Sequence, residues 1–310
     1  MAESARDIKR RIKSVKNIAQ ITKAMEAVSA NKMRKSQGFA LDARGYAVAA
    51  LKMLENLLLR TRELPEILKG RDVKKKLLLV VTADKGLAGA YNSNVLKQAE
   101  KWIKDHKKAG IDFSVVTVGK KAKEYLGKRA HVIKSFVGFS DFSKLNQTNP
   151  VADAVTGGFM KADWDEVQAV YTQFRTTLKQ EVVTRKILPA TKEGITEMVE
   201  GILPEYGKFA PKGEQNIHAK IKYVSEYIYE PDINTILNSL VPRLLHMHIH
   251  HIILEANASE HSSRMVAMKN ASDNARDLIG GLTLKYNKVR QAGITREIIE
   301  ITAGSEALKQ

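Results

Sequence analysis

The most informative segment for the fold is INTILNSLVPRLLHMHIHHIILEANASEHSSRMVAMKNASDNARDLIGGLTLKYNKV, residues 233–289. Its apolar and small residues recur at alternating steps of four and three. A sustained period of 3.5 residues keeps one stripe of a helix against a partner helix, which is the condition for a coiled coil. At a rise of 1.5 Å per residue, such a helix is roughly 85 Å long. The predicted stripe consists of Ile233, Leu237, Leu240, Leu244, Met247, His251, Leu254, Ala258, His261, Met265, Met268, Ser272, Ala275, Ile279, Leu282, Tyr286 and Val289.

Local signals mark where this helix begins. Glu230, Pro231 and Asp232 place a proline and acidic side chains at the positive end of the helix dipole. Pro242 lies inside the pattern, and its missing backbone N–H predicts a bend there. We therefore expect residues 230–310 to form one long C-terminal helix.

The N-terminal segment supplies a candidate partner. Gly38 and Gly45 each weaken a helix by about 1 kcal/mol relative to alanine, yet the pattern continues to about Arg62, before Pro65. We predict an antiparallel coiled coil between this helix, residues 1–65, and the C-terminal one. Pairing between two copies of the chain is the alternative. The N-terminal apolar series is Ile8, Ile12, Val15, Ile18, Ile21, Met25, Val28, Leu51, Leu54 and Leu58.

Residues 72–222 show a different periodicity. Lys76–Thr82 is a short continuous apolar run, as in a buried parallel strand. Further strands and helices alternate after it, which predicts a Rossmann-like α/β domain. Residues 189–222 are richer in Gly, Pro and charge, which predicts a loop or hairpin. The other predicted strands are 113–118, 131–137, 167–174 and 181–188, and the predicted helices are 94–108, 120–127 and 150–161.

The composition narrows the function classes. The chain has 310 residues, no cysteine and no apolar run of about 18 residues, so disulfides, thiolate metal sites and a membrane-spanning helix are not expected. The first residues, MAESARDIKR, lack the apolar core of a secretory signal. The net charge is +17, and residues 1–35 hold ten Lys or Arg against three acidic residues. This imbalance favours an acidic partner: nucleic acid, anionic lipid or an acidic protein.

The sequence TADKGLAGAYN, residues 82–92, follows the first strand, where doubly wound sheets place ligands. Gly86 and Gly89 do not satisfy the dinucleotide-binding pattern, and no Gly-Lys-Ser/Thr follows. We therefore predict a tight strand-to-helix turn and no cofactor-binding residue.

The cluster HMHIHH, residues 246–251, invites a metal hypothesis. His246 and His250 share a helix face at i,i+4, as a zinc pair would. Since no third ligand is evident, we predict no metal site. His251 and His261 fall on the predicted seam, where a ring can pack against the facing helix. No Ser/His/Asp order or carboxylate pair forms a recognisable catalytic frame, so no catalytic residue is assigned.

Sequence motifs at both ends resemble one known family. IKRRIKSVKNIAQITKAMEAVSANKMRKS at 8–36 is similar to the N-terminal signature of the gamma subunits of F-type ATP synthases. RMVAMKNASDNA at 264–275 and YNKVRQAGITREIIEI at 286–301 are similar to the C-terminal signature. TADKGLAG at 82–89 and YEPD at 229–232 resemble the strand–loop motif and the entry to the last helix. The resemblance covers essentially the whole chain.

The resemblance implies a central rotor shaft, not an enzyme. In this family the terminal helices form an asymmetric antiparallel coiled coil inside a hexamer of alternating alpha and beta subunits, with one copy per complex. The α/β domain meets the epsilon subunit and the membrane c-ring, and proton flow turns ring and shaft together. Nucleotide sites belong to the beta subunits, which implies no bound cofactor, no direct small-molecule substrate and no nucleic acid.

The resemblance also implies a location. It places the chain as a peripheral protein on the cytoplasmic side of the inner membrane, and the missing transit peptide favours a bacterial source. Because the chain has no cysteine, the redox-regulated dithiol of chloroplast members is missing.

Residue-level matches imply specific roles. The contact with a beta-subunit loop, here named the catch, corresponds to Arg290, Gln291, Thr295 and Glu297, and Met25 corresponds to a coupling-sensitive shaft position. Residues 297–308 would occupy the apolar bearing of the hexamer, and residues 206–227 would contain the foot contacts. The basic face toward an acidic beta segment is Lys9, Arg10, Arg11, Lys13 and Lys16; the main predicted seam residues are Ile12, Val15, Leu237, Leu240, Leu244, Met265, Met268, Ile279 and Leu282.

Two other function classes remain open from sequence. A basic coiled-coil protein that binds nucleic acid would explain the charge but leaves the α/β middle without a purpose, and it should bind DNA with a steep salt dependence. A Rossmann-like enzyme would explain the middle but not the terminal helices, and it should bind a nucleotide.

Overall fold

A computed structural model describes residues 4–42, 44–61, 64–139, 141–190 and 229–307. The chain has long N- and C-terminal helices and a five-stranded α/β sheet, which confirms the predicted fold class. Beyond residue 190, the predicted loop or hairpin at 189–222 lies outside the described residues. The described elements are α1 (Ala5–Asp42), α2 (Arg44–Arg60), a 3-10 turn (Glu66–Leu68), β1 (Lys75–Val81), α3 (Tyr91–Lys108), β2 (Asp112–Val118), α4 (Lys120–Leu126), β3 (Val132–Phe136), α5 (Leu145–Met160), β4 (Glu166–Phe174), β5 (Gln180–Leu188) and α6 (Ile233–Ala307).

The five strands form one sheet in the order β3-β2-β1-β4-β5. β1 pairs in parallel with β2 and β4, β2 pairs in parallel with β3, and β5 runs antiparallel to β4. Residues 77–81 of β1 are all buried, as expected for a central strand covered on both faces. α5 begins earlier than predicted: the backbone N–H of Lys144 donates to Gln147 Oε1 at 2.8 Å, and Pro150 lies inside the helix.

Each face of the sheet carries its own core. Because side chains alternate along a strand, Leu78 and Val80 point to one face and pack with residues of α3 and α4, such as Val95 and Leu126. Leu77 and Leu79 point to the other face. Their cluster also includes Leu54, Leu57, Phe159, Leu237, Val241, Leu244, Ile249 and Ile253, from α2, α5 and α6.

The first half of α6 therefore differs from the predicted two-helix seam. Leu237 and Leu244 are buried, and Leu240 is partly buried, in the core of the α/β domain beside α2. A helix with this much apolar surface can bury it against any apolar neighbour. Here the sheet offers a larger apolar face than a single helix does. The 3.5-residue period correctly indicated a buried stripe but not what covers it.

Gly119 ends β2 at a turn that only glycine accommodates. Its φ is +94°, and a Cβ atom there would lie 2.1 Å from the carbonyl oxygen of Thr82. Thr82 Oγ1 also accepts a hydrogen bond from the backbone N–H of Ala122, at the start of α4, at 2.9 Å. This close approach joins the ends of β1 and β2.

Polar caps fix the starts of both terminal helices. Ser4 Oγ accepts from the N–H of Asp7 at 3.2 Å at the start of α1. Asp232 Oδ1 accepts from the N–H of Thr235 at 2.9 Å at the start of α6. α6 runs for 75 residues, with Pro242 inside it, and continues past the last predicted seam residue, Val289.

The chain divides into two compact units: Met1–Ser29 with Met265–Gln310, and Ala30–Arg264. Below they are called the coiled-coil unit and the α/β unit. The domain boundaries drawn from sequence, 1–65, 72–222 and 230–310, follow changes of pattern and stay a prediction.

Candidate functional site

The coiled-coil unit is held by one apolar cluster between α1 and α6. Ile8, Val15, Ala275 and Leu282 form its buried centre, at 0%, 9%, 8% and 6% exposure. The packing of α1 on α6 gives each buried large aliphatic side chain roughly 1.5–3 kcal/mol of stabilisation. Ile12, Ala19, Ile279, Tyr286 and Val289 pack around this centre.

α1 follows a strict seven-residue repeat. Ile8, Val15, Thr22 and Ser29 are buried, two of them polar. Thr22 Oγ1 donates to the carbonyl of Ile18 at 3.0 Å, so the hydroxyl is satisfied within its own helix. Ser29 Oγ does the same at 2.7 Å. Small hydroxyl residues can therefore occupy seam positions without an unpaired polar group.

Three residues of the predicted N-terminal stripe lie outside this seam. Ile18, Ile21 and Val28 are 50%, 59% and 54% exposed, so their assignment to the stripe was wrong. Met25, the predicted coupling-sensitive position, is partly buried. On α6, Met268 is buried and Met265 partly buried. α1 thus presents an apolar strip outward as well as inward.

The last turns of α6 are exposed as far as residue 305. Residues 290–305 all have exposed side chains. Four isoleucines lie in this segment, Ile294, Ile298, Ile299 and Ile301, at 48–72% exposure. Four large aliphatic side chains exposed within eight residues are typical of an interaction surface.

The catch residues lie in the same segment. Arg290, Gln291, Thr295 and Glu297 are all exposed, and Thr295 Oγ1 donates to the carbonyl of Gln291 at 3.0 Å. The predicted basic face is exposed as well, at Lys9, Arg10, Arg11, Lys13 and Lys16. Their roles stay predictions.

The loop at residues 82–92 is tied by its own polar groups. Asp84 accepts from the backbone N–H groups of Lys120 at 2.7 Å and Gly138 at 2.8 Å. Asn92 Oδ1 accepts from the N–H of Ala83 at 3.0 Å. These bonds hold a turn in shape, which supports the prediction of a strand-to-helix turn.

Comparison with known proteins decides the family. The family described as ATP synthase matches residues 4–308. The ATP synthase gamma chains of Roseiflexus castenholzii and Geotalea daltonii are 38% and 39% identical over 311 residues, and 99% of each chain is covered. This chain belongs to the ATP synthase gamma chain family. The resemblance drawn from the terminal motifs is confirmed.

Solved structures share the gamma-chain fold. A chain of the Euglena gracilis mitochondrial ATP synthase in rotational state 3 matches with a TM-score of 0.61 at 18% identity, covering 98% of this chain and 94% of that one. A chain from the central stalk and c-ring structure of the Tetrahymena thermophila enzyme matches with a TM-score of 0.57 at 22% identity, covering 81% and 99%. In the described part of this gamma chain, no helix has an apolar stretch long enough to cross a membrane.

The histidine cluster of this gamma chain packs inside the α/β unit. His246 Nε2 lies 3.3 Å from Asp153 Oδ1, and His250 Nδ1 lies 3.0 Å from Thr148 Oγ1, so both rings face α5. Across the residues that the structure describes, no three His, Asp or Glu side chains are grouped as a metal site. The side chains of His246 and His250 therefore connect α6 to α5.

Three further titratable groups on α6 are buried in this gamma chain. Burial lowers the pKa of His248 to about 3 and that of His251 to about 4. Burial raises the pKa of Glu255 to about 8, and its Oε1 accepts from the N–H of Phe174 at 3.3 Å. All three are therefore held in their neutral forms near pH 7. Sequence reasoning missed Glu255, because it lies next to the predicted stripe and not on it, and a carboxylate is seldom buried.

Glu255→Gln is expected to remove an alkaline loss of stability. Between pH 4.5 and about 8 the unfolded chain releases the Glu255 proton while the folded chain keeps it, so wild-type stability falls as pH rises through this window. The variant should gain roughly 1–4 kcal/mol relative to wild type between pH 5 and pH 8. Urea unfolding at both pH values measures this, with Glu124→Gln, which replaces an exposed glutamate of α4, as the control. A pH-independent difference would show that Glu255 is ionised in the folded chain.

Proposed function

We propose that this chain is the central rotor shaft of an F-type ATP synthase. It couples proton-driven rotation of a membrane c-ring to conformational change and ATP synthesis at the beta-subunit sites. One copy serves each complex, and the chain itself catalyses no reaction. Family membership supports this function, since the curated relatives are ATP synthase gamma chains.

The observation that carries the proposal is the exposed apolar end of α6. A monomeric protein that leaves Ile294, Ile298 and Ile301 in water gives up the stabilisation that their burial provides. An apolar sleeve formed by a ring of surrounding subunits recovers it. The seven-residue repeat of α1 also leaves Ile18 and Ile21 outward, where the same ring can contact them.

Asymmetry is the property that lets such a shaft drive catalysis elsewhere. Two dissimilar helices present different faces in different directions, so three equivalent beta subunits around them meet different surfaces. Each beta subunit adopts the conformation that its contact favours, and this needs a difference in contact energy between conformations. Rotation moves each surface to the next beta subunit.

The proposed partners are the alpha/beta hexamer around the coiled coil, and the epsilon subunit and c-ring at the foot. The predicted foot contacts, residues 206–227, lie outside the described residues. The proposed location is peripheral, on the cytoplasmic side of a bacterial inner membrane, in keeping with bacterial gamma-chain relatives.

Reconstitution tests the proposal. The chain, mixed with alpha and beta subunits of a bacterial enzyme, should enter one complex as a single copy. A probe attached to the chain should rotate when ATP is hydrolysed. Failure to enter the hexamer, or entry in two or three copies, would overturn the shaft function.

Arg290→Ala and Glu297→Ala are expected to weaken coupling more than folding. Both side chains are exposed, so their removal should change the free energy of unfolding of the isolated chain by less than about 0.5 kcal/mol. Loss of a charged contact with a beta-subunit loop should lower ATP synthesis by about tenfold. Arg296→Ala, an exposed arginine directly after Thr295, is the control. Wild-type synthesis in both test variants would count against the catch assignment.

Neutralising Lys9, Arg10 and Arg11 to glutamine is expected to reduce torque if the basic face is attracted to acidic beta segments. The loss should grow as ionic strength falls, because exposed charges are screened by salt. The control replaces three exposed lysines of α3, Lys97, Lys101 and Lys104, and removes the same charge elsewhere. Equal torque from both variants would reject the electrostatic hypothesis.

A further inference from the structure

Asp141, in the loop between β3 and α5, joins three separate parts of the α/β unit. Its Oδ2 lies 2.6 Å from Lys32 Nζ of α1, and its Oδ1 lies 2.9 Å from His261 Nε2 of α6. Its backbone carbonyl accepts from Ser36 Oγ, one turn further along α1, at 3.3 Å. Lys32, Asp141 and His261 are here named the Asp141 clamp. His261 thus bonds to a loop of the α/β domain, although the 3.5-residue repeat predicted that it lies on the seam between the two helices.

The directions of the hydrogen bonds in the clamp are fixed by its neighbours. Arg264 Nη1 lies 3.2 Å from His261 Nδ1, and an arginine can only donate, so Nδ1 accepts and Nε2 carries the proton given to Asp141. Arg264 also donates through Nη2 to the carbonyl of Gly86, in the β1–α3 loop, at 3.1 Å. Hydrogen bonds to His261 and Lys32 hold the pKa of Asp141 far below its usual range.

Aromatic contacts add to the attachment of α1 to the β3–α5 loop. Phe142, next to Asp141, lies with its ring centroid 5.8 Å from that of Phe39, and Lys35 Nζ lies 5.7 Å above the Phe142 ring. From Lys32 to Phe39, two turns of α1 therefore contact the same two-residue segment of the β3–α5 loop.

The two terminal helices are attached to the α/β domain in different ways. α6 is built into the core through apolar residues such as Leu237 and Ile253. The segment of α1 around Lys32 meets the domain through polar and aromatic contacts with Asp141 and Phe142. An ion pair that is partly removed from water adds little net stability, but it specifies one register, because any sliding of the helix separates the charges.

We propose that the Asp141 clamp sets the axial register of α1 against α6 and the α/β domain, so that both helices turn as one body under load. The inference rests on the proposed shaft function and deepens it: Asp141 is a positioning residue for torque transmission. Where a shaft can slip between its two helices, part of the rotation is lost before it reaches the beta subunits.

A double-mutant cycle in the assembled, membrane-bound complex tests the clamp. Lys32→Ala, Asp141→Ala and the double variant should each lower protons pumped per ATP hydrolysed by about threefold to tenfold, with hydrolysis itself near wild type. The double variant should lose no more than either single variant, because both remove one link. Asp163→Ala, an exposed acid of the same unit, is the control. Additive losses, or wild-type coupling in Asp141→Ala, would overturn the proposal.

Folding and assembly are followed separately. The thermal midpoint of each isolated chain detects an alanine variant that fails to fold. Asp141→Asn and Lys32→Gln then replace the alanine variants, since they keep the shape and remove the charge pair. If the wild-type chain does not assemble with alpha and beta subunits, the shaft function fails. If wild type assembles and couples but the Asp141 variants couple equally well, only the clamp fails.

Discussion

Replacing Leu282 with aspartate is expected to separate the terminal helices and abolish ATP synthesis, while the α/β unit stays folded. Leu282 is 6% exposed and packs with Ile8, Val15 and Ala275. The substitution removes the burial of a leucine and places a carboxylate in an apolar seam. Together these should cost about 4 kcal/mol or more, a large fraction of the stability of a two-helix pair. Without the pair, α1 and α6 cannot act as one shaft.

Leu284 provides the matched control for this experiment. It lies two positions away on the same helix but is 74% exposed, so Leu284→Asp should leave the isolated chain unchanged within about 0.5 kcal/mol. Helix content by circular dichroism and the urea midpoint of the isolated chain decide the outcome, and ATP-driven proton pumping reports the functional loss. Equal destabilisation by both substitutions would mean that the helices do not pair through the Leu282 cluster.

Gly158→Ala is expected to disrupt the α/β unit through a single methyl group. A Cβ atom at Gly158 would lie 2.1 Å from two carbons of the Trp164 ring. That ring is 7% exposed, and its Nε1 donates to the carbonyl of Val155 at 3.0 Å, so it has little freedom to move. Overpacking of this kind should lower the free energy of unfolding by about 3 kcal/mol.

The neighbouring glycine gives the opposite prediction. At Gly157 an added Cβ atom meets nothing within 4 Å, and the residue lies inside α5. Gly157→Ala should therefore stabilise the chain by about 0.5–1 kcal/mol, because alanine loses less backbone entropy in a helix. Urea unfolding of the two variants should show changes in the free energy of unfolding that have opposite signs at these adjacent positions. Destabilisation of similar size at both would show that helix geometry, and not Trp164, sets the cost.

Sequence patterns predicted the elements of the α/β domain well. The apolar run at residues 76–82 predicted a strand, because a continuous apolar run suits a strand buried on both faces, and β1 spans Lys75–Val81. The start of α6 was predicted from Pro231 and Asp232, and the helix begins at Ile233. These signals are local, since each depends on a few neighbouring residues and needs no partner.

The seam of α1 could be predicted only in part. The apolar series included Ile18, Ile21 and Val28, whereas the structure buries Thr22 and Ser29 and leaves those three exposed. Hydrophobicity suggested the apolar positions, but a hydroxyl that bonds to a carbonyl of its own helix is equally acceptable in a seam. Which face turns inward depends on the partner helix.

Two long terminal helices, the alternation of strands and helices in the middle, and the family resemblance carried by motifs at both ends could all be read from the amino-acid sequence. Only the folded chain shows that the first half of α6 packs on the sheet and that Glu255 is buried. Folding also brings Asp141 within hydrogen-bonding distance of Lys32 and His261, which lie 109 and 120 residues away in the chain. Helix and strand periods report that a face is buried. They carry no information on which distant surface covers that face, because many different surfaces can bury the same apolar stripe.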